Sequence, residues 1–408
     1  MTVFRIEHQC PQCGAPAALE ETDRLFACPF CRVRSVLTAR DYFRYVLPAK
    51  RPAGRELIYA PYWRFKGFLL FSLPGGVEHT SDDGHQLGID RGALPPTLGL
   101  RAQAMKLRFA APDMAGRFIA PSRSFAQTVE AFERRFNRGM GGAAIECAHL
   151  GDAMGLLYSP FYAASRLVDA VLDRPIAAIP QEFETAAAAA GKPDGGLGFI
   201  PALCPSCGWD LDGERDALVL GCENCGSSWA PSGGALARVD CDFMRCDEEG
   251  LLYLPFWQTT CAITGVELNT YADLVRAANL PKMIQPEFAS RSFRFWTPAF
   301  KIRASAYLRL AESLSLTQPQ ELLRPGRPQG RRHPATLPAE EAAKSLKVIF
   351  SGMMKPRQRL AELLPAVEIR PTAHRLAYLP FRQDRHDYIQ PQTRIAVNKN
   401  LLALSRSL

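Results

Sequence analysis

Eight cysteines carry the clearest chemistry in this chain. Cys10, Cys13, Cys28 and Cys31 read C-x2-C-x14-C-x2-C, and Cys204, Cys207, Cys222 and Cys225 repeat that spacing. Each cysteine of the second set lies 194 positions after its counterpart. A C-x2-C turn places two thiolates on one side of a metal ion, and a second turn completes a tetrahedron. Zinc accepts such a site without redox complications, and four sulfur ligands leave no open position, so the ion is structural. The spacing predicts two structural Zn2+ per chain.

The residues around the cysteines agree with tight metal-binding turns. Cys10-Pro11-Gln12-Cys13-Gly14, Cys204-Pro205-Ser206-Cys207-Gly208 and Cys222-Glu223-Asn224-Cys225-Gly226 each end in glycine. Glycine permits the positive φ that turns backbone N–H groups toward the sulfurs. Cys28-Pro29-Phe30-Cys31 departs, with Arg32 in the glycine position. Hairpin signals lie between the turns, at Leu19 to Ala27 and at Leu211 to Leu220. Together these features resemble the zinc ribbon in its transcription factor IIB-type form. An iron site of the rubredoxin type and a set of disulfides are the alternatives. Disulfides are disfavoured because Met1-Thr2-Val3-Phe4-Arg5 does not open a secretory signal. Cys147, Cys241, Cys246 and Cys261 show no ligand pairing and read as small hydrophobes, although Cys241 and Cys246 have a C-x4-C spacing.

The duplication continues beyond the cysteines. Ile58-Tyr59-Ala60-Pro61-Tyr62-Trp63 matches Leu252-Tyr253-Leu254-Pro255-Phe256-Trp257 at the same offset. Weaker copies are Leu157-Tyr158-Ser159-Pro160-Phe161-Tyr162 and Ala377-Tyr378-Leu379-Pro380-Phe381-Arg382. A Y-x-P-aromatic segment reads as a strand with one missing ladder donor, suited to an edge or a bulge. Its repetition favours a repeated core strand over an aromatic surface for bases or peptides. With the ribbons, these segments resemble a group of bacterial proteins of unknown function that join a IIB-type ribbon to a Y-x-P-F-W motif. The resemblance covers about a third of the chain, which departs from the group by carrying two full copies. It implies a cytoplasmic role beside membrane-stress systems of the phage-shock and SPFH (stomatin-like) type, and it carries over no catalytic residue.

The elements that position these residues follow from pattern. The fold class expected is α+β: two tandem copies of a four-cysteine ribbon followed by a β-rich module with packed helices. The ribbons fall at 1–40 and 199–235, the modules at 41–182 and 236–408, and a linker at 183–198. Ser124 caps a helix with Phe125, Val129, Phe132 and Phe136 on one face. Further helices are expected at Tyr162 to Leu172, Thr270 to Asn279, Ala304 to Leu316 and after Pro338. The chain of 408 residues is 47% hydrophobic and 22% charged, ordinary for a folded protein, and its net charge of +8 permits an acidic partner without demanding one. No apolar run is long enough for a membrane helix, which leaves peripheral association open.

Other chemistry is thin. His79-Thr80-Ser81-Asp82-Asp83-Gly84-His85 could hold a metal, but Asp83-Gly84 reads better as a hairpin turn. Gly139-Met140-Gly141-Gly142 lacks the Lys-Ser/Thr of a phosphate-binding loop. The basic stretch Arg324 to Arg332 could grip phosphate and reads first as a solvated loop. No catalytic residue and no small-molecule substrate is expected. The functional expectation is a non-enzymatic scaffold that contacts partner proteins; the alternative is a nucleic-acid-binding protein of replication or transcription type. The second ribbon, with Asp210, Asp212, Glu214, Asp216 and Glu223, is acidic, which favours the scaffold.

Overall fold

The four Y-x-P segments pair with one another, two by two. In the computed structural model, which describes residues 5–50, 54–90, 94–99, 105–139, 143–179, 181–193 and 196–405, the long strand Ile58–Leu73 runs antiparallel to Glu146–Ala163. Tyr59 stands opposite Pro160, and Pro61 opposite Tyr158. In the second half Leu252–Thr264 runs antiparallel to Glu368–Gln383, with Tyr253 opposite Pro380 and Pro255 opposite Tyr378. The register is the same in both halves. Each pairing carries one bulge on its returning strand, with Asp152 the extra residue in the first and Thr372 in the second. These two positions are related by the same offset as Tyr158 and Tyr378.

The prolines do not mark edge strands, as the sequence suggested. Both sit inside long strands that are paired on two sides. On the side away from the returning strand, the ladder along Ile58–Leu73 has a gap at Pro61. The hairpin partner Gly76–Leu87 ends opposite Tyr62, and the short strand Arg117–Phe118 pairs with Ile58 and Tyr59. Pro255 lies in the same gap, between Phe256, which pairs with Phe295–Pro298, and Leu252 and Tyr253, which pair with Arg331–Arg332. A residue without an N–H costs nothing where no acceptor faces it. The proline carbonyls still accept, from Gly88 at 2.8 Å and Ala299 at 3.1 Å.

The motif aromatics are core residues. Tyr62, Trp63, Phe161, Phe256, Trp257 and Phe381 are all buried. The indole of Trp63 donates to the Arg123 carbonyl at 2.8 Å, and that of Trp257 to the Leu337 carbonyl at 2.9 Å. Their rings are not available to stack on bases.

Around these strand pairs the chain is α+β, with a ten-stranded sheet in the first half and an eight-stranded sheet in the second among the described residues. The strand that leaves each ribbon, Phe43–Val46 or Cys241–Met244, joins the returning long strand in parallel. The helix Phe125–Gly139 forms where Ser124 caps it, and its Phe125 and Phe132 stack on Phe65. Thr270 caps Tyr271–Ala277 in a reciprocal capping box with Asp273. Ala304–Thr317 buries Tyr307, Leu310 and Leu314, and Pro338 precedes two short helices, Ala339–Ala343 and Leu346–Met353. Tyr162 to Leu172 is not helical. It finishes the strand Glu146–Ala163 and folds back as Leu167–Asp169, because the β ladder outweighs a weak helical pattern.

The halves interlock. Leu70, Ala148 and Leu150 of the first half belong to the apolar core of the second, and Phe68 lies 5.9 Å from Tyr307. Between the halves, Gln181–Ala188 is helical and Gly191 bridges to Phe118. Gly198–Pro201 then adds as a strand to Arg34–Thr38 of the first ribbon.

The His79 to His85 segment is not a turn either. Gly76–Leu87 is one continuous strand, and Pro74-Gly75 makes the turn. Asp83 and His85 stand opposite Lys66 and Arg64 across the ladder, and Asp83 pairs with the buried Arg64. The wholly buried Arg64 bonds Glu21 of the first ribbon at 3.2 Å and also Asp83. Burial pushes His85 down to about 4 and Asp82 up to about 6. One oxygen of Asp82 is buried without a hydrogen-bond partner. A carboxyl raised in the fold favours the protonated form, so its contribution is full below about pH 4 and is lost as pH rises through about 6. Asp82→Asn mimics that form. It should raise the melting temperature over wild type at about pH 8, with the gap shrinking toward about pH 5. Melting curves at the two pH values check this; a gap independent of pH contradicts it.

Candidate metal centres

Each C-x2-C turn closes with the same backbone bond. The residue after the second cysteine donates its N–H to the carbonyl of the first: Gly14 to Cys10, Arg32 to Cys28, Gly208 to Cys204 and Gly226 to Cys222, at 2.8 to 3.0 Å. That residue must adopt a left-handed backbone, with φ of 72° at Gly14, 73° at Gly208 and 72° at Gly226. Arg32 takes φ 62° in the one turn without glycine, a conformation costing a side-chain-bearing residue about 1 kcal/mol.

These turns bring all eight cysteines into two tetrads. Within each tetrad the four sulfurs lie within 4.8 Å of one another. Cys10 and Cys31 are 3.8 Å apart, Cys13 and Cys28 3.7 Å, Cys204 and Cys225 3.6 Å, and Cys207 and Cys222 3.4 Å. Sulfurs about 2.3 Å from a central ion, at tetrahedral corners, stand about 3.8 Å apart. A disulfide requires about 2.05 Å, so the tetrads fit a metal ion and do not fit disulfides. Backbone N–H groups of Cys31 and Phe30 pull the Cys28 thiol down to about 6, toward the thiolate that a metal takes.

A residue that the spacing gave no reason to single out supports the second tetrad. The Ser227 hydroxyl lies 2.9 Å from the Cys225 sulfur and 3.5 Å from that of Cys204, and accepts from the Trp229 indole at 2.7 Å. The first ribbon has Val33 and Ser35 at those places. Among the described residues, no other set of three or more histidine, cysteine or carboxylate groups converges. His79, Asp82, Asp83 and His85 therefore form no metal site. Cys241, Cys246 and Cys261 pack against the second core, and burial pushes the thiols of Cys241, Cys261 and Cys147 up to about 11, 12 and 12.

The ribbons are held as a pair. Leu25 and Val36 of the first share one apolar cluster with Ala202, Leu211, Leu220 and Trp229 of the second. The N–H groups of Arg24 and Leu25 both donate to the Arg215 carbonyl, at 2.6 and 2.8 Å. Ion pairs join Arg215 to Asp23 and Arg34 to Asp212. Register is again common to both: Phe26 faces Ser35 as Leu220 faces Trp229.

The basic stretch is not a solvated loop. Leu323–Pro325 and Arg331–Arg332 are short strands on the second sheet. Arg327 and Arg332, mostly buried, both pair with Glu223, inside the last cysteine turn, Arg327 at 3.2 Å. Arg327 lies flat over Gly221, where a Cβ would stand 1.7 Å from its guanidinium. The acidity of the second ribbon is thus partly spent inside the molecule, on Arg327, Arg332 and Arg34.

No protein-family model, curated protein or solved structure matches this chain. What stands is two four-cysteine clusters on β-hairpins, arranged as in zinc ribbons, each able to hold a metal ion. The resemblance to the Y-x-P-F-W group is not supported beyond that.

Because Glu223 sits inside the Cys222–Cys225 turn, losing the ion should release its arginines. Metal loss typically removes on the order of 10 kcal/mol from so small a unit. Chelation should make trypsin cut after Arg331 and Arg332 well before it cuts the long strands, the bonds after Arg324 and Arg327 being protected by the prolines that follow them. Glu223→Gln should speed the same cuts in the metal-loaded protein, with metal content unchanged. Mass spectrometry of the fragments reads this; cleavage at the same rate with and without metal contradicts it.

Proposed function

We propose that this chain is a non-enzymatic scaffold whose paired zinc ribbons contact a partner protein. One observation carries the reading: large apolar side chains stand exposed beside the cysteine turns. Phe30 and Val33 flank Cys31, and Trp209 and Leu203 flank the Cys204 turn; Phe30 is 65% exposed and Trp209 59%. Phe30 and Val33 lie on one turn, since the Cys28 N–H donates to the Val33 carbonyl at 3.0 Å. Leu203 and Trp209 are likewise neighbours, with the Cys204 N–H donating to the Trp209 carbonyl at 2.7 Å. The first ribbon makes the same turn with the smaller or polar residues Ala15 and Gln9 in those places. Exposed tryptophan and phenylalanine are characteristic anchors of protein interfaces.

The rival reading, nucleic-acid binding, is weakened by where the arginines go. Arg327 and Arg332 are committed to Glu223, and the motif aromatics are buried. Arg324 and Arg331 remain exposed. A cytoplasmic setting and a link to membrane stress remain part of the proposal. No helix among the described residues is long and apolar enough to cross a membrane.

The test is a double variant, Phe30→Asp with Trp209→Asp. Metal content and melting temperature should stay at wild-type values, while affinity for the proteins that co-purify with the wild type should fall at least about tenfold. Unchanged complexes overturn the proposal. So does binding of DNA or RNA near physiological salt that weakens steeply as salt rises.

A further inference from the structure

The geometry points to a binding site for a small organic anion with an apolar body, in a cavity between the two halves. The cavity measures about 560 Å3, inside the range of roughly 300–1,000 Å3 typical of ligand pockets. One wall is the sheet of the first half, with Phe68, Leu150, His79 and Ser81. The other is the segment Phe300 to Ser305, with Tyr307 behind it.

Its charge is one-sided. Among the described residues Lys301, Arg303 and His79 line it and no acidic side chain does. Lys301 is buried in the wall and already has a partner, so it shapes the cavity and is not counted toward the head site; the open basic groups are Arg303 and His79. Arg303 and His79 are exposed at the rim, and neither has an ion-pair or hydrogen-bond partner among the described residues. Arg303 is also the N-cap of Ala304–Thr317 and gives that helix no side-chain cap bond. The first turn of this 14-residue helix therefore adds its partial positive charge to that of the side chains. The apolar half of the lining, including Phe68, Leu150, Phe300 and Leu337, has nothing to offer a bare inorganic ion. A molecule that satisfies both halves has a carboxylate or phosphate head, toward Arg303 and Ser305, and a short hydrocarbon or aromatic body.

Calorimetric titration of the metal-loaded full chain with octanoate, 1-octanol and inorganic phosphate tests this. Octanoate should saturate one site per chain, and the other two should bind at least about tenfold more weakly. Ser305→Asp should help the helix, since an anion in its first turn is favourable, yet fill the head site with like charge. That variant and Arg303→Glu should each weaken octanoate about tenfold or more, with octanol binding unchanged and the melting temperature not lowered. Equal affinity for octanoate and octanol overturns the anion head. Phosphate binding without octanoate binding overturns the apolar body. No binding of octanoate, or binding that both variants leave untouched, overturns the site.

Discussion

A ribbon of about forty residues cannot bury enough apolar surface to fold unaided, and the rest of this structure is arranged around that shortage. Two devices answer it. Within each ribbon, four sulfurs are gathered to tetrahedral spacing by turns that spend their backbone bonds on closure. A cation at the centre converts that crowding of thiolates into stabilisation. Between the ribbons, Leu25, Val36, Leu211, Leu220 and Trp229 make one shared apolar cluster that neither ribbon has alone. The pair then serves as a platform. Glu21 reaches from the first ribbon to the buried Arg64, and Glu223 from the second to Arg327 and Arg332.

The two halves keep the frame and differ in what fills it. Strand register, the bulge and the proline gap recur in both. At the place of Arg64 the second half has Gln258, which accepts from Arg294 at 2.9 Å, and at the place of Lys66 it has Thr260. The hairpin strand Gly76–Leu87 is replaced by the short strand Phe295–Pro298, after two helices. Buried charge is therefore concentrated in the first half and helical packing in the second. The cavity between them lies where these unlike surfaces meet.

Much of this was legible in the sequence where chemistry forces spacing. Two C-x2-C pairs must converge on one ion, and a capping Ser124 must precede its helix. The repeat of Y-x-P at fixed offsets indicated core strands, and Trp63 and Trp257 are indeed buried. What local pattern does not encode is which strand lies beside which. Asp83-Gly84 has turn residues but lies mid-strand, because its ladder partners are Lys66 and Phe65. Pro61 looked like an edge residue because the gap opposite it is made by Leu87 and Phe118, which are distant in sequence. Arg327 looked solvated because Glu223 is over a hundred residues away. Each miss is a long-range contact that overrides a local preference.

The most direct measurement is metal analysis with X-ray absorption on the full chain as purified. Two zinc ions per chain, each with four sulfur neighbours at about 2.3 Å, is the predicted result. A well-folded chain with fewer than two metal ions, or with nitrogen or oxygen among the ligands, would contradict the account.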